Sequence, residues 1–372
     1  MVIEETSETR GLFYNGGMNK RILPFLALSI LALLVALWAG LLRLGWTLPS
    51  TRGLAIAHGP LMISGFLGAL IALERVVALK IRWMYAAPLL AGLGWLVSLL
   101  VPTLPLGPIL LTLSSAVTVA ILAVIVRREP ALHTVTMLAG SLAWLAGNLL
   151  WLTGQAVFQV VYWWQAFLLL TVAGERLELS RVLRPSKFQQ NLFGVFAALL
   201  LAGVVVTAFD LQLGVRLSGA GMLALALWSP RNDIAWRNLR HKLPLTRYIA
   251  TCLALGFVWL GIGGALNLVF GAQAAGPRYD ALLHVVFVGF VISMIFGHAP
   301  IIFPAILGTP INFQPAFYVH LILLHGSLAL RVVSDLLLWD AGRMWGGMLN
   351  EIAILLFLGM TIYSVRKGMG AR

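Results

Sequence analysis

Histidines placed inside apolar segments are the residues of this sequence best suited to chemistry. The stretch 284-HVVFVGFVISMIFGH-298 has a histidine at each end and no charged residue between them. On a helix this separation corresponds to roughly 21 Å with an angular offset of about 40°, so His284 and His298 share one helix face. Ionisable side chains inside a membrane are costly and usually functional. This pattern predicts metal ligation or proton transfer on one long helix.

The elements that must hold these histidines are apolar helices. The chain is 60% hydrophobic and 10% charged, with a mean hydropathy of +0.94, whereas soluble domains are about 25% charged. We therefore expect an all-α, polytopic membrane bundle. Because a membrane helix needs roughly 20 apolar residues, twelve helices are predicted, at 22–45, 54–79, 84–101, 105–126, 131–153, 156–174, 192–212, 214–229, 246–270, 281–306, 316–339 and 345–365. They form one membrane domain, 22–365, between a polar tail, 1–21, and a basic tail, 366–372.

The basic residues predict the orientation of the bundle. The net charge of +13 comes from cations scattered between apolar runs, which indicates topology and contact with the lipid bilayer rather than nucleic-acid binding. The first 20 residues lack the order of a signal peptide. With the N-terminus inside, all but six of the 26 lysines and arginines lie on the inner side. The six are Arg43, Arg52, Arg216, Arg278, Arg331 and Arg343. Both termini are therefore expected to be cytoplasmic, in the cytoplasmic membrane.

Orientation converts sequence position into depth. Predicted helices 2 and 10 both enter from the outside, so His58 and His284 lie level with each other near the outer surface. His298, His320 and His325 lie towards the inner surface. The remaining two histidines, His133 and His241, are expected at the membrane–water interface. For any single histidine the alternative is structural hydrogen bonding, but equal depth on two helices favours ligation by His58 and His284.

Two level histidines favour haem over a metal ion without a macrocycle. Imidazole suits zinc, copper and iron alike, but a metal ion without a macrocycle takes three or four protein ligands, whereas two suffice as axial ligands of haem. The chain has one cysteine and no CxxCH, which excludes covalently attached c-type haem and leaves haem b. Three arginines are candidate partners of the haem propionates: Arg52, Arg278 and Arg331. Alternatively, Arg331 forms a helix-surface ion pair with Asp335 at i,i+4 spacing.

A second site is conceivable at the inner side. If His298 with His320 or His325 held a second haem, or copper, the two sites would form an electron path across the membrane. The following segment, 299-APIIFPAILGTPINFQP-315, carries no charge and four prolines. It either folds back over a cofactor or quinone pocket or forms a proline-kinked helix end.

Two local motifs resemble known haem proteins. The stretch 56-IAHGPLMISGFLG-68 resembles the low-spin-haem ligand motif of haem–copper oxidase subunit I, which also has twelve spans and takes its opposite ligand from helix 10. The stretches 36-ALWAGLLRLGW-46 and 281-ALLHVVFVGFVISMIFGH-298 look still more like the NnrS family, haem- and copper-containing membrane proteins associated with nitric oxide metabolism. The resemblance implies haem ligation by His58 and His284.

The sequence also departs from those families. It reads HGPL where the NnrS motif has two histidines and a glutamate, and its second histidine pair is more closely spaced. Predicted helices 6 and 7 contain no histidine, and helix 10 lacks His-Phe-His. An oxygen-reducing haem–copper centre is therefore not expected.

Charged residues at helix ends offer other chemistry. Five of them, Glu74, Arg75, Glu175, Arg176 and Glu178, could begin a proton path, although such residues usually serve as solvated caps and ion pairs. Glu351 lies about two turns into helix 12, beside Asn350.

The sequence thus predicts a b-type-haem protein in redox or diatomic gas metabolism, if an enzyme then an oxidoreductase. One alternative is a di-haem, quinol-linked subunit serving a redox partner. The other is a proton-coupled transporter without haem.

Overall fold

The described residues form twelve helices that are long and apolar enough to cross a membrane, as predicted. The computed structural model describes residues 22–51, 53–307 and 313–370, with side chains except at 304–307 and 368–370. The tail predicted at 1–21 lies outside the described residues. All secondary structure in the described part is helical. The twelve are α1 Leu23–Leu44, α2 His58–Leu79, α3 Arg82–Leu100, α4 Leu106–Arg128, α5 Leu132–Leu152, α6 Val157–Leu183, α7 Lys187–Val206, α8 Leu211–Asn232, α9 Pro244–Phe270, α10 Pro277–Phe303, α11 Phe317–Leu336 and α12 Asp340–Lys367.

The predicted number of helices is confirmed, but some predicted ends are wrong. Helix α6 continues to Leu183 instead of ending at residue 174, because Glu175 and Arg176 find ion-pair partners on other segments. Helix α7 begins earlier than predicted because Ser186 caps it, accepting a hydrogen bond from the Gln189 N–H. Hydropathy detects the apolar middle of a helix, whereas capping and pairing decide its ends.

The segment between α8 and α9 contains a short helix, Ile234–Asn238. Its N-cap is Asp233, which accepts a hydrogen bond from the Ala235 N–H at 2.8 Å. Trp236 lies in this helix, and its indole donates to Ser229 Oγ at 3.1 Å. After α10 the helix continues to Leu307, and residues 308–312 of the predicted loop lie outside the described part.

Helices α2 and α10 share an unusual feature. Each contains an eight-residue π-helical segment, Leu61–Gly68 in α2 and Val285–Ile292 in α10. The first begins three residues after His58 and the second immediately after His284. π-Helical turns are rare and occur frequently at functional sites. The two helices that carry the level histidines are thus irregular at corresponding places.

Five helices surround these histidines. Helix α1 packs against α2 and α12, α10 packs against α11, and α11 packs against α12. Helix α10 is also among the most enclosed, with 72% of its apolar window buried, against 28% for α7. The histidine pair therefore lies in the interior of the bundle rather than on a lipid-facing surface.

Candidate functional site

The structure brings His58 and His284 together. Their ring centroids lie 6.2 Å apart with an angle of 27° between the ring planes. Both side chains are partly buried. The equal depth predicted from helix direction therefore corresponds to direct proximity of the two imidazoles.

Each of these imidazoles is anchored through Nδ1. His58 Nδ1 lies 2.8 Å from the Ala36 carbonyl on α1, and His284 Nδ1 lies 2.9 Å from the Asp280 carbonyl one turn earlier on α10. A carbonyl oxygen only accepts, so both Nδ1 atoms donate, and the Nε2 atom of each neutral imidazole carries a lone pair. Metal-binding histidines are commonly oriented in this way, with the second nitrogen held by a carbonyl.

Arg331 of α11 lies beside the pair but is already engaged. Its guanidinium donates to both carboxylate oxygens of Asp280, at 2.7 and 2.8 Å. One of its nitrogens also lies 3.4 Å from His284 Nε2. Arg331 therefore pairs with Asp280 and not with Asp335, the partner that the i,i+4 spacing suggested. The reason is that α10 packs against α11 and presents Asp280 to Arg331. Both oxygens of the fully buried Asp335 lack a hydrogen-bond partner.

Helices α1 and α12 complete the surroundings of His58. A Cβ added at Gly40 would lie 3.0 Å from Glu351 Oε1 and 3.0 Å from His58 Cε1. The missing side chain at Gly40 therefore gives the imidazole and the carboxylate space against the α1 backbone. Depth alone singled out Glu351 but did not place it near His58.

The structure describes one of the two other predicted propionate partners. Arg278 is exposed, and its guanidinium lies over the Phe270 ring, 5.1 Å from the centroid. Arg52 lies outside the described residues. Sequence reasoning also missed Asp280 as a partner of both His284 and Arg331. Its position one helical turn before His284 was the available signal.

Two of the three histidines predicted for a second site, His320 and His325, have hydrogen-bond partners in the structure. His320 Nε2 lies 2.9 Å from the Tyr248 hydroxyl, and its Nδ1 lies 3.4 Å from Met360 Sδ. His325 Nδ1 accepts from Trp259 at 2.8 Å, which leaves Nε2 to contact Ser293. Within the described part of the chain, no group of three histidines, cysteines or acidic residues could hold a metal ion.

The charged residues at the opposite end of α2 and α6 form ion pairs. Arg75 pairs with Glu175. Arg176 donates to both oxygens of Asp233, at 2.9 and 2.6 Å, and both side chains are buried. Neither Glu74 nor Glu178 belongs to these two pairs.

The predicted interfacial histidines differ in their surroundings. His133 is buried and contacts Arg181, with Glu129 and Glu178 within 4.0 Å. The Arg181 guanidinium donates to Glu129 and holds the pKa of that carboxyl below its ordinary value. His241 is half-buried and accepts from the Leu243 N–H at 3.1 Å.

The His58–His284 pair suits a haem iron better than a metal ion without a macrocycle. An imidazole nitrogen binds a transition metal at about 2.0 Å and lies about 1.2 Å from its ring centre, so two axial imidazoles hold their ring centres about 6 Å apart. The ring centroids of His58 and His284 lie a similar distance apart, 6.2 Å. The described residues offer no third ligand, and a macrocycle supplies its own four. Iron at His284 Nε2 would displace the contact with Arg331.

Comparison with known proteins gives a family but no described activity. Residues 21–366 match a family described as a domain of unknown function, DUF8744. No curated protein matches the chain. No solved structure matches it either.

Proposed function

Since the chain belongs to the DUF8744 family, a domain of unknown function, we propose its function from the site itself: it binds haem b between α2 and α10. His58 and His284 would hold its iron through Nε2. The observation that carries the proposal is the pairing of the two imidazoles at 6.2 Å, each with Nδ1 held by a backbone carbonyl. The π-helical segments that follow both histidines support it.

When bound, the haem would supply one-electron redox chemistry, and a diatomic gas such as nitric oxide would reach the iron only in place of one of the two histidines. The chain's own residues hold and tune the haem. Asp280 lies 3.2 Å from His284 Nδ1, and a carboxylate there makes an imidazole a stronger ligand. Among the arginines predicted to meet a propionate, Arg331 is the one that contacts His284, with Asp280 as its competing partner.

We further propose that the protein is oriented with both termini in the cytoplasm of a cell whose cytoplasmic membrane it spans. The excess of lysine and arginine in alternate loops supports this orientation. It places His58 and His284 towards the outer surface. The lipid bilayer is then the partner that surrounds the helix bundle.

The proposal is tested by an oxidised-minus-reduced absorption spectrum and a pyridine haemochrome assay on protein purified from haem-replete cells. We expect a low-spin b-type spectrum with one haem per chain. A colourless protein contradicts the proposal and favours the proton-coupled transporter. Two haems with separable potentials would favour the quinol-linked electron-transfer subunit.

A further inference from the structure

Asp335, in the last turn of α11, is a buried acid that the proposed haem site does not use. It is 0% exposed, and neither of its carboxylate oxygens has a hydrogen-bond partner. Two arginines face it, Arg331 and Arg343, but both are engaged elsewhere. Arg331 donates to both oxygens of Asp280, and Arg343 pairs with the exposed Asp340. Within the described part of the chain, the Asp335 carboxyl group therefore forms neither an ion pair nor a hydrogen bond.

A second buried group without a partner, at the end of α10 opposite to His284, shows why charge matters here. His298 is 8% exposed, and its Nδ1 donates to the Met294 carbonyl at 2.8 Å, whereas its Nε2 has no partner. A neutral imidazole in this position lacks one hydrogen bond. An ionised carboxylate in the interior costs far more free energy unless it is paired. Asp335 is therefore the group whose buried charge has to be compensated.

The charged groups around Asp335 are short of one positive charge. Asp280 and Arg331 compensate each other, and so do Asp340 and Arg343. An ionised Asp335 would add one negative charge without a partner in a fully buried position. The site therefore calls for one further cation.

The packing of α11 against α12 favours a proton as this cation. The two helices approach so closely that a Cβ at Gly346 would lie 2.7 Å from the Arg331 backbone nitrogen. Among the residues that the structure describes, no group of three histidines, cysteines or acidic residues could hold a metal ion. A metal ion needs several ligands and a cavity of its own size, whereas a proton needs one carboxylate oxygen.

Asp280 is the acceptor available to a protonated Asp335. The two carboxyl groups lie within hydrogen-bonding reach of each other, and a protonated carboxyl group has an O–H to donate. Asp280 stays ionised because the Arg331 guanidinium donates to both of its oxygens. Each carboxylate oxygen has a second lone pair, so Asp280 can accept from Asp335 without losing Arg331.

We propose that Asp335 is a proton-binding site, whose carboxyl group carries a proton at neutral pH and donates a hydrogen bond to the Asp280 carboxylate. Loss of this proton to water would make Asp335 a competitor of Asp280 for Arg331, at i,i+4 spacing on α11. Because Asp280 and Arg331 both contact His284, the proton on Asp335 controls the charge beside that histidine. The inference goes beyond the proposed haem function, since neither the proton nor its acceptor requires haem.

The test is solid-state carbon-13 NMR at neutral pH on protein in lipid bilayers, labelled at the side-chain carboxyl carbon of aspartate. This carbon has a lower chemical shift when the carboxyl group is protonated. The chain has five aspartates, and we expect one protonated and four ionised signals. Asp233 and Asp280 pair with arginines, and Asp210 and Asp340 are exposed. Asp335→Asn should remove the protonated signal, whereas the control Asp340→Asn should remove an ionised one.

Asp280→Asn tests the competition for Arg331. The substitution frees the guanidinium to pair with Asp335, which should then ionise, so this variant should show no protonated aspartate. A protonated signal in Asp280→Asn would overturn the role given to Arg331. Five ionised signals in the wild-type protein, or a protonated signal that persists in Asp335→Asn, would overturn the proton site. If Asp335→Asn does not fold, the wild-type spectrum and Asp280→Asn still decide.

The outcomes separate this inference from the haem proposal, because the label reports only on aspartate. A colourless protein with one protonated aspartate keeps the proton site and removes the haem. A protein with a b-type spectrum and five ionised aspartates keeps the haem and removes the proton site.

Discussion

The imidazoles of His58, on α2, and His284, on α10, lie with their ring centroids 6.2 Å apart. Their anchors differ: His58 is held by the backbone of another helix, α1, and His284 by its own helix. The pair is therefore positioned by contacts among α1, α2 and α10.

This relationship predicts that the two histidines act as a unit. We expect His58→Ala and His284→Ala each to abolish the same low-spin haem signal, because removal of either axial ligand leaves iron with one protein ligand. The measurement is the reduced-minus-oxidised spectrum, normalised to protein. His241→Ala, which changes a half-buried histidine away from the pair, is the control. Retention of the full signal in either ligand variant would break the proposed pairing.

The histidines towards the other end of α10 and α11 should not affect that signal. His320 and His325 have hydrogen-bond partners on both ring nitrogens. Replacing either of them should therefore lower the stability of the protein without removing haem iron. We expect His325→Ala to lower the thermal unfolding midpoint, because it leaves the Trp259 N–H unpaired, while the haem content per folded protein stays constant. Loss of a second haem signal in this variant would revive the two-haem alternative.

The sequence predicted the number of helices and the level histidines because both follow from hydropathy and direction. It did not predict the partners of the site. Asp280 pairs with Arg331 because α10 packs against α11, and Glu351 lies near His58 because α12 packs against α1. Hydropathy fixes the depth of a residue but not the direction of its side chain. For the same reason, the inner histidines matched in depth and yet point to different partners.

The close approach at Gly40 gives a local prediction. A Cβ at this position would lie 3.0 Å from both Glu351 and His58, which is tighter than ordinary contact, and overpacking of this kind costs about 1–3 kcal/mol. We expect Gly40→Ala to shift the haem absorption bands or lower haem occupancy. Gly326→Ala is the matched control, since a Cβ there meets nothing within 4 Å. Identical spectra for the two variants would mean that Gly40 does not shape the site.

The proposed orientation can be tested with the single cysteine removed. In a Cys252→Ser background, Ala274→Cys and Arg240→Cys introduce exposed thiols into the loops after α9 and after α8, respectively. With cytoplasmic termini, a membrane-impermeant maleimide added to intact cells should label Ala274→Cys and spare Arg240→Cys until the cells are opened. The reverse pattern would invert the topology and move the histidine pair to the cytoplasmic side.

The pair Arg331–Asp280 should contribute to stability independently of haem. Both side chains are largely buried, at 7% and 18% exposure, and the bond is bidentate. Because breaking a buried pair leaves one charge uncompensated, Arg331→Met should lower the free energy of unfolding of haem-free protein by about 3 kcal/mol.

The double variant Arg331→Met/Asp280→Asn removes both charges of this pair and should recover a large part of that loss. Arg343→Met breaks a pair whose carboxylate, Asp340, is 77% exposed, and it should cost less than about 1 kcal/mol. If Arg331→Met is as mild as this control, Arg331 does not hold α10 against α11. Its place beside His284 Nε2 would then be explained by cofactor binding alone.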